Sequence, residues 1–380
     1  MSAKIIFTHC GLPLIMAAIF FMGATFGYGQ TEAPDLWEMT LRYYYGLDRP
    51  LEEYTPDELN RPDGLDLTPL MKSVLQNDLD MLKKLLAAGA RADFKNENGR
   101  TALHEVFNRQ HGGRGHPLDP EIIRLLVRSG LEINVRDNEG ASPLLWACLT
   151  TADSVIIKTL LELGADPQAA TPGGYTPILA AAMNPEIAVI QTVIEAGGRL
   201  TDINSSGDTA LILAAESNSN PKMIALLLEA GLDAAAEDVQ GQTALHRAAA
   251  QNPQLEITRM LLAAGADPNQ AAKPRADGLT PTLAAVKNSN PQVIRLLAGS
   301  GGDLTAKDVH QKDALMIAVN SPSTPTARKA EIVRYLLGAG LKPDARSAQQ
   351  ATALHYGARY AAYSSVPGEV ELLLEAGADP

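Results

Sequence analysis

A short phrase, Thr-(Pro/Ala)-Leu or a close variant, recurs along the 380 residues and limits the folds that this chain can adopt. Five of the eight start-to-start spacings between its copies are 33 or 34 residues. A fixed period of this length indicates stacked supersecondary units, each of which packs mainly on its neighbours. The sequence therefore predicts one long repeat solenoid. The nine copies begin at Thr68, Thr101, Ser142, Thr176, Thr209, Thr243, Thr280, Asp313 and Thr352.

Each repeat is predicted to contain a pair of helices. Thr176 is expected to cap a free backbone N–H, with Pro177 at the first helical position. The second helix is expected to end at a glycine such as Gly231, since glycine readily adopts the left-handed conformation after a helix. The following stretch, for example residues 134–140, contains a turn signal and predicts a hairpin-like finger. Second helices are predicted to start at the Asn-Pro pairs that begin with Asn184, Asn220, Asn252 and Asn290.

Over residues 67–380 the chain resembles the ankyrin-repeat family. Residues 99–104 and 241–246 are similar to its Gly-x-Thr-Pro-Leu-His signature, and residues 264–267 and 376–379 match its second-helix ending, Ala-Gly-Ala-Asp. The resemblance implies an all-α solenoid of nine ankyrin repeats, with a concave face of fingers and first helices that binds other proteins. The departures from the family pattern are Ser142, Asp313, an inserted Thr282, and Gln311 and Gln350 in place of a finger glycine, which leaves the geometry of the last two fingers open.

The N-terminus reads as a targeting segment. Lys4 precedes a nearly continuous apolar stretch at residues 5–26, and small residues follow up to Gly29. This order is typical of a secretory signal peptide, and its central apolar core is shorter than the roughly 20 residues that span a bilayer. Residues 1–29 are therefore predicted to be a cleaved signal peptide, with an uncleaved N-terminal anchor as the alternative. A periplasmic location is expected, and a membrane-anchored or secreted protein is the alternative.

The two ends of the array carry separate expectations. Residues 30–66 contain Trp37 and a run of three tyrosines, and are predicted to form an N-terminal cap or, alternatively, an aromatic patch that binds a partner. At the other end the sequence stops at Pro380, directly after the ninth predicted second helix. Because terminal repeats usually need a polar outer face, the last repeat is expected to be incomplete.

No residue pattern points to an enzyme, a cofactor or a metal. His104-Glu105 begins like a metalloprotease helix, but the second histidine is missing because residue 108 is Asn. The signature histidines His104, His246 and His355 are predicted to hydrogen-bond within their turns, and Cys148 to be a buried small side chain. The net charge of −12 argues against nucleic acid and anionic lipid as partners.

Departures from the period indicate where individual function lies. Insertions at residues 110–117, 321–329 and 360–367 are predicted to be projecting loops. A lengthened finger carries Lys273 and Arg275, a basic tip on an acidic chain that is expected to contact an acidic partner surface. Family geometry adds further expected contacts on the concave face, namely Arg100, Asn108, Arg109, Tyr175, Met183, Glu216, Gln251, Lys287, Arg359 and Tyr360.

The sequence thus predicts a monomeric, non-enzymatic scaffold that binds a partner protein outside the cytoplasm. Two alternatives remain open at this point. One is a dedicated accessory, maturation or inhibitory protein, of the immunity type, for a single exported enzyme. The other is an effector that is secreted and acts on another cell.

Overall fold

The computed structural model describes residues 44–107, 118–321, 326–361 and 368–380, with the backbone alone at 326–327 and 359–361. The predicted signal peptide lies outside the described residues. Contacts divide the chain into two units, Met1–Tyr54 and Thr55–Pro380. The described part of the first unit contains the short 3-10 helix Leu51–Glu53 and buries Tyr45 and Leu47.

The second unit is helical throughout its described residues and confirms the predicted repeat solenoid. A short helix, Pro56–Leu59, precedes nine helix pairs that we number as repeats 1 to 9. The only β-type pairing within the described ranges is one isolated bridge between Ile203 and Thr209. The pairs are Pro69–Leu75 with Leu79–Ala87, Ala102–Glu105 with Pro120–Arg128, Pro143–Thr150 with Ser154–Glu162, Pro177–Met183 with Ile187–Glu195, Ala210–Ser217 with Pro221–Glu229, Ala244–Gln251 with Leu255–Ala263, Pro281–Ala284 with Gln292–Gly299, Ala314–Val319 with Thr326–Gly338, and Ala353–Ala361 with Gly368–Glu375.

Small apolar residues let the first helices pack at close range. In repeat 5, all six residues from Ala210 to Ala215 are buried, so this helix is covered on every side. The second helix of the same repeat buries only one face, through Met223, Ile224 and Leu227. None of the helices within the described ranges combines the length and the apolarity needed to cross a lipid bilayer.

Most first helices begin with the predicted side-chain cap. Thr68 Oγ1 accepts the N–H of Met71 at 3.3 Å. The signature variants keep this bond, because Ser142 Oγ accepts from Leu145 at 3.3 Å and Asp313 Oδ1 accepts from Met316 at 2.9 Å. Thr176 does not make it. Its hydroxyl oxygen is buried without a hydrogen-bond partner, so the cap predicted for Thr176 is wrong.

The expected insertion at Thr282 is also wrong. Thr280 caps the N–H of Leu283, three residues later, which is the spacing that Thr68 uses. Thr282 therefore lies in register and substitutes for the buried Ile178 of repeat 4. It is fully buried, and its hydroxyl donates a hydrogen bond to the carbonyl of Pro268 at 2.8 Å.

Second helices end as predicted, at a glycine in the left-handed conformation. In repeat 5, Gly231 has φ +86°, and the N–H of Leu232 reaches back to the carbonyl of Leu227 at 3.1 Å. This is the Schellman arrangement, which satisfies carbonyls at the helix end. The nine glycines in this position have φ between +86° and +98°, and they are Gly89, Gly130, Gly164, Gly197, Gly231, Gly265, Gly301, Gly340 and Gly377.

Four buried asparagines join the repeats to one another. Asn218, which is 1% exposed, follows the first helix of repeat 5. Its amide donates to the carbonyls of Ala182 and Asn184 in repeat 4, both at 2.8 Å, and its Oδ1 accepts the N–H of Asn220 at 2.8 Å. Asn252 in turn donates to the carbonyl of Asn218 at 2.9 Å. The set, which we term the asparagine ladder, consists of Asn184, Asn218, Asn252 and Asn288.

The ladder corrects the prediction for the Asn-Pro pairs. Asn184 and Asn252 end the first helices of repeats 4 and 6 and do not start the second ones. Asn220 behaves as predicted, since it caps the second helix of repeat 5 by accepting the N–H of Lys222 at 3.1 Å. Asn290 accepts the N–H of Gln292 at 3.0 Å in the same way. The same Asn-Pro pattern therefore has two structural roles, since the asparagine ends a first helix in some repeats and caps a second helix in others.

Most fingers are closed by the side chain of one Asn, Asp, Ser or Thr. Asn204 Oδ1 accepts the N–H groups of Ser206 and Asp208, both at 2.9 Å. Neighbouring fingers are joined through their backbones, as where the N–H of Val239 donates to the carbonyl of Ser206 at 2.9 Å. The fingers therefore form a continuous edge of turns along much of the stack.

The two glutamines in glycine positions preserve the finger geometry. Gln311 and Gln350 adopt φ +57° and +60°, and the N–H of Gln311 still donates to the carbonyl of Asp308 at 2.9 Å. The left-handed conformation costs roughly 1 kcal/mol for a residue that has a Cβ.

Gln311→Gly is therefore expected to raise the free energy of unfolding by about 0.5–1 kcal/mol, because the strain relieved outweighs the extra entropy of the unfolded chain. Urea titration followed by circular dichroism measures the change. Gly207→Ala is the opposite control, since Gly207 has φ +79° and an added Cβ would lie 3.0 Å from the amide nitrogen of Val239. An unchanged or lowered stability of Gln311→Gly would contradict the strain assigned to this finger.

Candidate interaction surface

The fingers and the first helices meet through a repeated side-chain contact. In several repeats the residue nine positions after a finger Asp or Asn lies on the following first helix and reaches back to it. Trp146 Nε1 donates to Asp137 Oδ2 at 3.0 Å, and Arg247 Nη2 donates to Asp238 Oδ2 at 2.8 Å. We refer to the surface built from these contacts as the finger–helix surface. Sequence reasoning missed it, although the spacing of nine is visible once the finger residues are aligned.

Arg100, one of the predicted contact residues, is held by neighbours within the chain. Its guanidinium carbon lies 4.3 Å from the centre of the Trp146 ring, and its Nε lies 3.8 Å from Asp137 Oδ2. The side chain is 17% exposed. Arg100 therefore presents only part of its guanidinium to a partner, and its role in binding stays a prediction.

Arg247 is the centre of a second charged cluster, between repeats 5 and 6. Besides Asp238, its guanidinium lies 3.4 Å from both Asp208 Oδ1 and Glu216 Oε1. Gln251, a predicted contact residue, donates from Nε2 to the same Glu216 oxygen at 2.7 Å. Gln251 and Glu216 are thus brought together by the structure, in a network with Arg247.

The other predicted contacts fall into two places. Met183 and Gln251 end the first helices of repeats 4 and 6, and Lys287 ends the 3-10 helix Ala285–Lys287 that continues the first helix of repeat 7. Each stands just before a ladder asparagine, so the three occupy equivalent places. Met183 is half-buried, while Gln251 and Lys287 are exposed. Tyr175 lies apart from them on the finger between repeats 3 and 4 and is 37% exposed.

Several predicted features fall outside the described residues. They are Asn108 and Arg109, the insertion at 110–117, the side chains of Arg359 and Tyr360, and residues 362–367. The insertion at 321–329 is only partly a loop, because the second helix of repeat 8 already begins at Thr326 and Lys329 is buried. The prediction of a projecting loop over that whole range is wrong.

The finger between repeats 6 and 7 presents the predicted basic tip. Lys273 and Arg275 are both exposed, Lys273 directly before and Arg275 within a single 3-10 turn, Pro274–Ala276. The backbone N–H of Lys273 donates to Gln240 at 2.8 Å, which fixes the tip on the preceding finger. Residues 271–350 contain eleven Lys and Arg against six Asp and Glu, in a chain with a net charge of −12. Repeats 7 and 8 therefore form a basic stretch within an acidic protein.

A pocket of about 270 Å³ opens on this basic stretch, between repeats 7 and 8. Its charged groups come from Asp277 and Asp308 on the two fingers, from Lys287, and from Lys312 after the second finger. Its full lining is Asp277, Leu279, Lys287, Asp308, Lys312, Ile317, Asn320 and Ser321. Lys287 was predicted as a contact residue, whereas the pocket itself was not predicted.

The signature histidines have the structural role that was predicted. His104 Nδ1 accepts the N–H of Thr101 at 3.2 Å, and Nε2 pairs with the carbonyl of Ala141 in the next repeat at 3.2 Å. Nε2 must therefore carry the proton, and the ring is neutral. Burial lowers the pKa of His104 to about 4. His246 repeats both contacts with Thr243 and Leu279, at 3.0 and 3.1 Å.

The described side chains offer few groups for chemistry. No cluster of three or more His, Cys, Asp or Glu within the described ranges could hold a metal ion. Cys148 is fully buried, and burial raises the pKa of its thiol, which makes it a poor nucleophile. The prominent surface feature is a row of fingers, some of which carry charged side chains.

Comparison with known proteins agrees with this architecture. A putative ankyrin repeat protein of Rickettsia felis is 32% identical over 75 residues, which is 20% of this chain and 18% of that protein. A second, from Rickettsia bellii, is 35% identical over 78 residues, covering 20% and 40% of the two chains. Human transient receptor potential cation channel subfamily A member 1 is 29% identical over 91 residues, covering 24% and 8%. The chain thus spans well under half the length of each of these relatives.

The family match extends much further along the chain. A model of three consecutive ankyrin repeats matches residues 70–171, 115–205, 178–272 and 245–347. These overlapping matches span well over half of the 380 residues and follow the helix pairs of repeats 1 to 8. The chain belongs to the ankyrin-repeat family, whose stacked repeats are protein–protein interaction scaffolds.

Proposed function

We propose that this protein is a non-enzymatic, monomeric scaffold outside the cytoplasm that binds an acidic surface of a partner protein. The contact is made by the fingers that flank repeat 7. The scaffold function follows from the family, and the acidic character of the partner follows from the positive charge of this surface. Fold alone does not identify a partner, so particular side chains carry that second part.

The observation that carries the proposal is the pair of exposed cations on the finger between repeats 6 and 7. Lys273 forms no ion pair with a described residue, and its Nζ donates only to the carbonyl of Val239 at 3.3 Å. Arg275 makes no hydrogen bond or ion pair with any described residue. Lys287 and Lys312 extend the positive charge toward the pocket. Such a surface is complementary to an acidic partner and accelerates its association.

The location outside the cytoplasm is supported by residues 1–29, with their charged start, apolar core and small residues before Gln30. Expression of the full chain with a C-terminal tag, in its own cell, tests this part. A product shortened by residues 1–29 in the periplasmic fraction supports export and cleavage. A full-length product in the membrane fraction supports an anchor, and a full-length product in the cytoplasm contradicts export.

Lys273→Ala with Arg275→Ala is expected to weaken partner binding by about 10- to 30-fold, because two exposed charge contacts contribute on the order of 1 kcal/mol each. The tagged chain is used to capture proteins from the extract of its own cell. The captured partner is then titrated against both forms at two salt concentrations, and the difference is expected to shrink at high salt.

Lys158→Ala with Lys222→Ala is the matched control. It removes the same charge from exposed positions on second helices, away from the fingers. Equal losses in both double variants would show only a dependence on net charge, and an unchanged affinity in the finger variant would remove the basic tip from the proposal. One stoichiometric enzyme among the captured proteins would favour the dedicated accessory or inhibitory alternative.

A further inference from the structure

One oxygen of a buried carboxylate has no donor in the finger between repeats 7 and 8. Asp308 is 5% exposed and closes this finger, with Oδ1 accepting the N–H groups of His310 and Lys312, both at 2.8 Å. No described residue donates a hydrogen bond to its Oδ2, and Asp308 lines the pocket. This oxygen is open to the pocket, where a charged donor from outside the chain can form a strong, charge-assisted hydrogen bond with it.

Three other aspartates, which close turns ahead of repeats 1, 3 and 6, obtain such a donor from their own chain. Asp63 Oδ2 pairs with Lys72 Nζ at 2.8 Å. Asp137 Oδ2 accepts from Trp146 Nε1, with the guanidinium of Arg100 beside it. Asp238 Oδ2 accepts from the guanidinium of Arg247 at 2.8 Å. For Asp137 and Asp238 the outer oxygen faces a planar N–H donor supplied from the finger–helix surface.

At repeat 8 the equivalent positions are apolar. Ile317, nine residues after Asp308, stands where Trp146 and Arg247 stand in their repeats. Leu279, which directly follows its finger glycine, corresponds to Arg100. Both line the pocket, so apolar side chains stand at the two positions from which Arg100, Trp146 and Arg247 reach their aspartates. A guanidinium plane stacks well on apolar side chains because it is weakly hydrated, whereas a lysine ammonium keeps its water.

We propose that this pocket receives an arginine side chain of the partner protein, with its guanidinium on Asp308 Oδ2, in the place that Arg247 occupies in repeat 6. The inference rests on the proposed scaffold function and adds the chemistry of the partner. The rim carries Lys287 and Lys312, neither of which forms an ion pair with Asp308 among the described residues. Those cations would repel an isolated arginine, so the partner segment has acidic residues beside it.

Two labelled peptides test the inference by fluorescence anisotropy against the full chain. One is acetyl-Glu-Asp-Arg-Asp-Glu-amide, and the other replaces the arginine with citrulline, which has the same shape but no charge. The arginine peptide is expected to bind at least about tenfold more tightly, as suits a charge-assisted pair with a largely buried carboxylate. Equal affinities would overturn the inference.

Asp308→Asn is the deciding variant. The turn should survive, because Asn96 and Asn204 close other fingers by accepting the same two N–H groups. The preference for arginine over citrulline is expected to fall below about twofold, while the citrulline peptide keeps its affinity. A preference that persists in Asp308→Asn would overturn the assignment of this carboxylate.

Ile317→Arg supplies an independent check. It places a guanidinium of the chain itself nine residues after the finger aspartate, as in repeat 6, and is expected to raise the thermal midpoint and to abolish the arginine preference. Unaltered preference in this variant would also overturn the inference.

The outcomes separate this inference from the scaffold proposal. If both peptides bind equally and Lys273→Ala with Arg275→Ala weakens both, the acidic-partner proposal stands and the arginine pocket falls. If neither peptide binds, the pocket inference falls, and the capture experiment with the natural partner decides the scaffold proposal by itself.

Discussion

Asn218→Ala is expected to lower the free energy of unfolding by about 3–5 kcal/mol, a large part of the stability of a typical domain. The asparagine is 1% exposed and makes hydrogen bonds with three backbone groups at 2.8 Å each. Its removal leaves the carbonyls of Ala182 and Asn184 and the N–H of Asn220 buried without these partners. Each unsatisfied group costs roughly 1–3 kcal/mol, and no water can enter without disturbing the packing. Chemical unfolding followed by circular dichroism measures the loss.

Two variants identify the cause. Asn218→Asp keeps the acceptor and the shape but points carboxylate oxygens at two carbonyls, so it should destabilise at least as much as alanine. Asn220→Ala removes a more exposed asparagine that donates to Pro185 and caps a helix, and should cost only about 1 kcal/mol. If Asn218→Ala and Asn220→Ala proved equal, the asparagine ladder would not be a principal link between repeats.

Acidification from pH 7.5 to pH 5 is expected to cost about 2 kcal/mol through His104 alone. Burial lowers its pKa to about 4 in the folded chain, below the value of about 6.5 for an exposed histidine. The unfolded chain therefore binds a proton first as the pH falls. The stability associated with neutral His104 is complete above pH 6.5 and is lost as the pH falls from there toward 4. Burial also lowers the pKa of His246, which adds a loss of the same sign.

The measurement compares the pH dependence of unfolding in wild type, His104→Asn and His355→Asn. His104→Asn is less stable at pH 7.5, because its contact with Ala141 is lost, but its stability should fall less between pH 7.5 and 5. His355 is exposed and serves as the control for removing a signature histidine that lies outside the core. Carboxylates that titrate in this range contribute equally to all three proteins. An identical pH dependence in wild type and His104→Asn would contradict the buried neutral ring.

The repeat period and the composition were enough to predict the architecture. Helix pairs, terminal glycines such as Gly231, and the turn role of the signature histidines followed from local rules, because each depends on residues within one repeat. Predictions failed where a side chain acts between repeats. Asn184 and Asn220 look alike in the sequence because both precede proline, yet only Asn184 belongs to the asparagine ladder. The spacing of 34 residues to Asn218, which lacks a following proline, was the signal that could have separated them.

The positively charged residues of the candidate site could be predicted from the sequence, but its pocket could not. Lys273 and Arg275 stood out because they are cations on an acidic chain, and Lys287 was expected from family geometry; the structure leaves all three exposed. The pocket could not be predicted, because it depends on what is missing beside Asp308. Only alignment of that finger with those of Asp137 and Asp238 shows that Ile317 has replaced a donor. Arg100 shows the converse, since a cation that looks available in the sequence is already stacked on Trp146.

Hydrogen–deuterium exchange of the full chain, with and without the captured partner, tests the central claim most directly. Binding through the fingers around repeat 7 predicts slower exchange in residues 271–280 and 305–317, with the second helices of repeats 3 to 5 unchanged. Protection confined to second helices, or spread over fingers between repeats 2 and 5 alone, would contradict the account.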